Sequence, residues 1–355
     1  MNFLFCIIFL GIISLIPAAF AGYGIARAAI KAKYGKGMEI FESVDVTLGK
    51  RQQKIYLEGK NKSNPVMIML HGGPLMPFVY CSAYRGLYED LRSNYTLIWW
   101  DEYGSGKNYV DHSLLDNFTV DDWVTMTIDL YNWTIKKFPG CKIVINGYSF
   151  GTFLATRAFR LISKDPNHKI SGVINMGPIL NMRNASLLYE NALMPVISQD
   201  KKDKIKELRN GSYIKYQNYL EALAEKYLNC QIYNKKDAHN SMMKTWISRL
   251  LFSPDYTLTD TVNYIKIKLH SDEYYNVMWE SFGNLDMTED YKSLSVPTLF
   301  LQGSEELYVS KAQLDPLLAG KQNIFYHILE KSAHCPTTEA WNLITKLVCD
   351  FKQNI

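Results

Sequence analysis

The sequence lacks the cysteine patterns that mark metal sites and disulfide scaffolds. Its six cysteines are spread over 355 residues, with no C-x-x-C pair and no Cys/His cluster at ligand spacing. A strong charge of one sign is also missing, because the formal net charge is only +4 and the basic residues are scattered. The sequence therefore indicates no metal site and argues against nucleic acid as a partner.

No internal repeat or low-complexity linker divides the chain, and disorder is excluded by its composition. Hydrophobic residues make up 47% of the sequence and charged residues 21%. A chain of 355 residues with this balance can form one large α/β domain with an insertion, or two domains.

The N-terminus carries an uncharged stretch from Phe3 to Gly24, which includes FLFCIIFLGIISLI, Pro17 and AAFAG. As a signal peptide it has an apolar run of suitable length and small residues for cleavage. As a membrane anchor it has roughly the twenty residues that a bilayer requires, followed by a basic flank. No Lys or Arg precedes the run, which favours the anchor. We expect a membrane anchor or signal peptide over residues 1–24, a linker over 25–39, and a membrane-anchored or secreted protein.

Beyond residue 40, strand-like runs alternate with helical patterns. The strand-like runs lie at 43–47, 53–57, 66–70, 96–100, 142–146, 172–176, 298–302 and 324–329, and the clearest helical patterns at 119–138, 151–163 and 336–350. Such alternation predicts a mostly parallel sheet covered by helices on both faces. Residues 181–288 interrupt it with a long helical stretch, which predicts a helical cap inserted between two strands of a core formed by 40–180 and 289–355.

The clearest chemical motif is GYSFG at residues 147–151. The strand-like IVIN precedes it and the helical TFLATRAFRLI follows it. This order is typical of a nucleophile elbow, in which small residues on both sides of a serine let a strand end and a helix start come close together. We therefore predict that Ser149 is a nucleophile.

A serine nucleophile needs a base and an orienting acid, which follow it in the order acid, then histidine, in such a fold. Of the seven histidines, His334 fits best, since it follows the strand-like IFYHIL and precedes the last helical pattern. The loop after PTLFLQG offers Glu305 and Glu306. The usual spacing from Gly303 selects Glu306, with Glu305 as the alternative and a pair of surface glutamates as the simpler interpretation.

Two backbone amides are needed where negative charge develops during acyl transfer. The residue after the nucleophile, Phe150, supplies one candidate. The HGGP segment at 71–74 follows an apolar strand and supplies the other, and Gly73 is the candidate donor because Pro74 has no amide hydrogen.

Five motifs in this order resemble those of the α/β-hydrolase superfamily, and specifically its prolyl aminopeptidase (proline iminopeptidase) branch. They are HGGP at 71–74, WWDEYGSG at 99–106, GYSFG at 147–151, VPTLFLQGSEE at 296–306 and SAHCPTTEAW at 332–341. The resemblance covers residues 40–352. It implies a serine hydrolase with a helical cap and without metal or organic cofactor, with Ser149, Glu306 and His334 as the triad and Gly73 and Phe150 in the oxyanion hole.

The sequence also departs from that branch at several positions. Leu75 replaces the last glycine of HGGPG, Glu102 and Tyr103 replace the Gln-Arg of DQRG, and Phe150 replaces a tryptophan. Glu306 stands where the triad acid is normally an aspartate. The departures affect substrate recognition more than the triad.

Substrate recognition in that branch depends on acidic residues of the cap. The cap offers several acids, including Glu190, Glu221, Glu225 and Glu280. Trp279 and Glu280 are our candidates for substrate binding, since they lie where the chain returns from the cap to the sheet. Three functions stay open: an aminopeptidase acting on small-molecule or peptide substrates, a carboxylester or lipid hydrolase, and a catalytically silent binding protein.

Overall fold

A central sheet of eight strands organises the computed structural model, which describes residues 20–77, 79–228, 243–306, 308–309 and 311–355. The strands are β1 (Ile40–Leu48), β2 (Arg51–Gly59), β3 (Val66–Leu70), β4 (Thr96–Trp100), β5 (Ile143–Tyr148), β6 (Ile170–Met176), β7 (Thr298–Gly303) and β8 (Ile324–Leu329). Their order is β1-β2-β4-β3-β5-β6-β7-β8. β1 pairs antiparallel with β2, and β2 with β4, whereas all the other pairs are parallel. The mostly parallel sheet is confirmed.

Helices flank the sheet and fill the interval between β6 and β7. They are α1 (20–35), α2 (Glu89–Asn94), α3 (Val120–Lys137), α4 (Phe150–Ile162), α5 (Met182–Leu193), α6 (Gln199–Arg209), α7 (Tyr213–Tyr227), α8 (Met243–Phe252), α9 (Leu258–Tyr274), α10 (Asn276–Gly283), α11 (Thr288–Lys292), α12 (Lys311–Leu318) and α13 (Thr338–Phe351).

Both faces of the sheet are buried because the central strands consist almost wholly of apolar residues. Every residue of β3 and β4 is buried. Since side chains alternate along a strand, Trp100 packs with the core cluster that contains α3 and α4 residues, and Trp99 packs with the cluster that contains α2 and α13 residues. Continuous apolar strands of this kind require helices on both sides.

The helical insertion predicted between two strands is confirmed and comprises α5 to α10. Its two ends meet in an isolated β-bridge between Asn181 and Asp286. The bounds 181–288 proposed for the cap remain a prediction.

Ion pairs and hydrogen bonds attach the insertion to the core near the start of α9. Arg85 donates to both carboxylate oxygens of Asp255, at 2.6 and 2.7 Å. Beside this pair, Tyr256 donates to Asp101 at 2.9 Å. Lys107 reaches Asp260 at 2.8 Å. Buried and half-buried polar contacts therefore bind the part of the insertion formed by α8 and α9, called here the α8–α9 half, to the core.

The N-terminal segment differs from its prediction. Residues 20–35 form α1, so most of the expected linker 25–39 is helical. Arg27 donates to the Ser253 carbonyl at 3.2 Å, and Arg249 of α8 donates to the Tyr34 hydroxyl at 3.1 Å. These contacts pack α1 against the insertion, and tertiary packing of this kind stabilises a helix.

The described part of the chain contains no helix with the length and apolarity needed to cross a membrane. The prediction of a membrane-anchored or secreted protein, with its membrane and transmembrane assignments, is corrected by this finding. Of the segment 1–24 on which it was based, residues 1–19 lie outside the described residues, and 20–24 belong to α1.

The loop after β3 is held in place by the buried His71. The ring donates from Nδ1 to the Gly72 carbonyl at 2.6 Å, and its Nε2 accepts from the Glu102 amide at 3.0 Å. Burial lowers the pKa of His71, which favours this neutral form. The Glu102 side chain is fully buried and neither of its carboxyl oxygens has a hydrogen-bond partner among the described residues. Burial, and then the neighbouring Asp101, raise the pKa of Glu102 well above its usual range.

Glu102→Gln should increase the free energy of unfolding at neutral and alkaline pH. When folding raises the pKa of a carboxyl group, the free energy of unfolding falls as pH rises from the pKa of that group in the unfolded chain towards its pKa in the folded protein. Glutamine is neutral at every pH and has no such effect. The advantage of the variant should be absent near pH 4 and grow by up to about 1.4 kcal/mol per pH unit above that. Urea unfolding at a series of pH values measures it. Glu330→Gln, which removes an exposed carboxylate, is the control, and parallel pH curves for wild type and Glu102→Gln would contradict the interpretation.

Candidate active site

Ser149 lies in a strained turn between β5 and α4. Its backbone has φ 52° and ψ −118°, a region that residues other than glycine seldom occupy. The flanking glycines are required by close backbone approach, because a Cβ on Gly147 would collide with the Gly151 carbonyl, and one on Gly151 would collide with the Leu70 carbonyl of β3. The amide of Ser149 donates to the Met176 carbonyl of β6 at 2.8 Å. The GYSFG pattern therefore forms the tight strand-to-helix turn that its sequence predicts.

His334 lies within hydrogen-bond distance of this serine. It occupies the loop between β8 and α13, is 6% exposed, and has its Nε2 atom 2.8 Å from the Ser149 Oγ atom. Because the other ring nitrogen faces a carboxylate, Nε2 is free to accept the serine hydrogen.

Glu306 completes the hydrogen-bonded chain. Its two carboxylate oxygens lie 2.8 and 3.0 Å from His334 Nδ1, and its side chain is 1% exposed. The Tyr308 amide donates to the same carboxylate at 3.0 Å. Glu305 is exposed, and its backbone amide donates to the Ser332 carbonyl at 2.9 Å. Of the two glutamates left open by the sequence, Glu306 is the one that contacts His334.

Aromatic rings enclose the His334 imidazole. Tyr148 stacks against it with ring centroids 5.8 Å apart, and Tyr308 meets it edge-on at 4.6 Å. Gly177, at φ 59°, lies on another side, where an added Cβ would come within 3.0 Å of the ring. The neighbouring Cys335 is buried, which raises the pKa of its thiol to about 12, so this thiol is not a nucleophile at neutral pH.

The two predicted oxyanion donors lie next to Ser149. Gly73 lines the same cavity as the serine, and a Cβ on Gly72 would be only 3.1 Å from the Ser149 Cβ atom. Phe150 is the first residue of α4, whose first-turn amides have no acceptor within the helix. The Phe150 ring is buried and packs edge-on against Trp123 and Phe282. The presence of phenylalanine in place of the usual tryptophan therefore affects the packing behind the turn.

A cavity of about 220 Å³ opens above Ser149. Its lining residues come from the loop after β3, the turn at Ser149, the insertion and the loop after β7: Gly73, Met76, Ser149, Ile179, Met182, Tyr213, Ile214, Gln217, Asn218, Glu221, Tyr264, Lys268, Trp279, Phe282 and Tyr308. The wall is mostly apolar and aromatic, and among these residues Glu221 is the carboxylate.

The two substrate-binding candidates from the sequence are placed differently. Trp279 lines the cavity. Glu280 is not among the lining residues, and its carboxylate instead pairs with Arg183 at 3.2 Å and accepts from the Tyr213 amide at 2.7 Å. The structure therefore brings Trp279 to the site and uses Glu280 within the insertion.

Glu221 is the acid that the sequence did not single out. Its Oε1 atom accepts from the Tyr308 hydroxyl at 2.6 Å and from Gln217 at 2.8 Å. Burial raises the pKa of Glu221, while these two hydrogen bonds and the nearby His334 oppose the shift. The sequence signal was helical spacing, because Tyr213, Gln217 and Glu221 recur every four residues and face the same side of α7.

Within the described residues, no group of three or more His, Cys, Asp or Glu side chains could hold a metal ion.

Comparison with known proteins gives three informative matches. Probable aminopeptidase YbaC of Bacillus subtilis (strain 168) is 29% identical over 112 residues, which are 31% of this chain and 34% of that protein, so the chain matches about a third of that relative's length. The structure of proline iminopeptidase from Mycobacterium smegmatis superposes with a TM-score of 0.58 at 14% identity, covering 88% of this chain and 98% of the other. That of naproxen esterase (carboxylesterase NP) from Bacillus subtilis gives 0.54 at 15% identity, covering 93% and 98%.

At these identities the two solved structures show the fold alone, and the match to the probable aminopeptidase covers a third of that protein, so the prolyl aminopeptidase branch stays a prediction. The family model for the alpha/beta hydrolase fold matches residues 65–339, from the start of β3 to the start of α13. Since that match spans most of the chain and includes the sheet, the serine turn and the insertion, the chain belongs to the α/β-hydrolase fold family.

Proposed function

We propose that the protein is a serine hydrolase that acts through an acyl-enzyme, with Ser149 as nucleophile, His334 as base and Glu306 as orienting acid. The observation that carries the proposal is the continuous hydrogen-bonded chain from the Ser149 hydroxyl through His334 to Glu306, with both contacts at 2.8 Å. This geometry matches the requirement that a serine needs a base within hydrogen-bond reach and that the base needs a fixed orientation.

The reaction follows from these positions. Ser149 Oγ attacks the substrate carbonyl carbon while its proton passes to His334 Nε2, and Glu306 stabilises the resulting imidazolium. His334 then gives that proton to the leaving amine or alcohol as its bond to the carbonyl carbon breaks, which leaves the acyl group on Ser149. Water then attacks the acyl carbon while His334 takes one of its protons, and His334 returns that proton to Ser149 Oγ as the acyl–oxygen bond breaks, which releases the carboxylic acid and regenerates the serine hydroxyl.

The amides of Gly73 and Phe150 stabilise the negative oxygen of the tetrahedral intermediate. Phe150 begins α4, so its amide adds to the positive end of the helix dipole. Donors fixed by backbone need no reorganisation when charge develops, which makes this contribution large.

The substrate that the cavity supports best is a compound with a free N-terminal amine. Glu221 faces a small, largely apolar space beside Ser149, where a carboxylate can pair with an ammonium group. The similarity to proteins described as an aminopeptidase and a proline iminopeptidase supports the same activity. We therefore favour an aminopeptidase of the proline iminopeptidase type.

A carboxylester hydrolase is the second candidate. The cavity is lined by the apolar side chains of Met76, Ile179, Met182 and Phe282, which suit an acyl group, and a carboxylesterase has the same fold. A catalytically silent protein is disfavoured. Leu75 and Tyr103, two residues that differ from the usual motifs of the prolyl aminopeptidase branch, are buried in the core, and Ser149 keeps its contact with His334.

Ser149→Ala should abolish covalent labelling by a fluorophosphonate probe and lower kcat by at least about 10³-fold, since the nucleophile is lost. Gel fluorescence and steady-state kinetics measure the two effects. Ser163→Ala, at the other end of α4, is the matched control and should label normally. Wild-type protein that takes up no probe at Ser149 would support the silent binding protein instead.

Glu306→Gln should reduce kcat by about 10²- to 10⁴-fold, because a neutral amide neither stabilises the imidazolium nor fixes the same tautomer. Glu305→Gln should retain wild-type kcat, since its carboxylate is exposed and contacts no ring nitrogen of His334. Steady-state kinetics on one substrate tests both variants. A larger loss of kcat in Glu305→Gln than in Glu306→Gln would show that Glu305, and not Glu306, is the orienting acid.

Glu221→Gln should raise KM for a proline arylamide by about 10-fold or more, the cost of losing a charge-assisted contact to the substrate amine. Turnover of a short-chain aryl ester without an amine should be unchanged. Glu225→Gln on the same helix, where the side chain is exposed, is the control. Wild-type protein that hydrolyses only the ester would establish the carboxylester hydrolase.

A further inference from the structure

Tyr308 contacts both carboxylates of the site. Its backbone amide donates to Glu306 Oε1 at 3.0 Å, and its hydroxyl donates to Glu221 Oε1 at 2.6 Å. Between these two ends, its ring lies edge-on to His334 at 4.6 Å. One residue of the core thus joins the predicted triad to the acid on α7 of the insertion.

The Tyr308 hydroxyl is a constant donor. Burial and the neighbouring Glu221 carboxylate hold the pKa of Tyr308 well above its usual range, so the hydroxyl keeps its hydrogen. Gln217, one turn before Glu221 on α7, donates to the same Oε1 atom at 2.8 Å. Both donors therefore hold the carboxylate through Oε1, and Oε2 accepts no hydrogen bond from the residues that the structure describes. Since Glu221 lines the cavity, a ligand there can bind to this carboxylate.

We propose that Tyr308 is a positioning residue for specificity, which holds the Glu221 carboxylate in the orientation that binds the ammonium group of the substrate. The inference rests on the aminopeptidase function proposed above. Tyr308 acts through Glu221 and transfers no proton in the reaction. It therefore sets the preference for substrates that carry an N-terminal amine over those of the same shape that lack it.

The contribution of Tyr308 depends on pH in a defined direction. Burial raises the pKa of Glu221, and the hydrogen bond from Tyr308 is the largest of the opposing effects, ahead of Gln217 and His334. Lys268 and Tyr264 of α9 and Tyr213 of α7 are the other titratable groups that line the cavity with it. Without the Tyr308 hydroxyl, Glu221 takes up a proton at higher pH, and ammonium binding is then lost at higher pH.

The test compares two substrates of the same shape across pH. One is proline p-nitroanilide and the other is cyclopentanecarboxylic acid p-nitroanilide, in which carbon replaces the ring nitrogen. Tyr308→Phe keeps the ring beside His334 and removes only the hydroxyl. For this variant, kcat/KM of the proline substrate should fall by roughly 10-fold or more at neutral pH, mainly through KM. Its acid limb should also move to higher pH, while kcat/KM of the cyclopentane substrate should fall by a clearly smaller factor and its acid limb should not move.

Tyr216→Phe is the matched control. Tyr216 lies on α7, the helix that carries Glu221, and the substitution removes its hydrogen bond of 2.7 Å to Glu190. Neither Tyr216 nor Glu190 lines the cavity. If Tyr216→Phe reproduced the change, or if Tyr308→Phe lowered both substrates equally or neither, the proposal on Tyr308 would be overturned. A wild-type enzyme that did not prefer the proline substrate would instead overturn the aminopeptidase assignment, and with it the role of Tyr308.

Discussion

The close backbone approach at the turn around Ser149 is the constraint on which the rest of the site depends. The carbonyls of Leu70 and Gly151 occupy the space that side chains at 151 and 147 would need. Because β3, β5 and α4 meet there without side chains between them, the serine is raised above the carboxyl edge of the sheet. The same edge delivers Glu306 after β7 and His334 after β8. Parallel strands place the ends of all these segments on one side, which is why residues far apart in sequence form one hydrogen-bonded chain.

The sheet and the three residues of that chain could be predicted from the sequence because each depends on a local pattern. Continuous apolar runs such as VMIML and TLIWW can only be buried strands between helices, and the structure has both at the predicted bounds. Ser149, Glu306 and His334 each follow a strand in a loop of recognisable spacing. The choice of Glu306 over Glu305 needed only the distance from Gly303, since the strand end fixes which of the two side chains faces the histidine.

The lining of the cavity could not be predicted in the same way, because it depends on how the helices of the insertion pack against one another. Several glutamates of this region stand on helices with similar surroundings in sequence. Glu280 is turned towards Arg183 and the start of α7, whereas Glu221 reaches Tyr308 in the core. The helix α1 could not be predicted for a similar reason, because it contacts α8 and Ser253, which follow it by more than two hundred residues in the sequence.

The attachment of the insertion has a mechanical consequence. Its two chain ends are held together by the Asn181–Asp286 bridge. The α8–α9 half is bound to the core by the bidentate ion pair between Arg85 and Asp255, and α1 makes further contacts with the same half. Opening that half would leave charges of a buried pair unmatched, which is costly. The α7 half contacts the core through the hydrogen bond from the Tyr308 hydroxyl to Glu221. A single hydrogen bond of this kind costs less to break than a buried ion pair, so the two halves of the insertion differ in how strongly their polar contacts resist separation from the core.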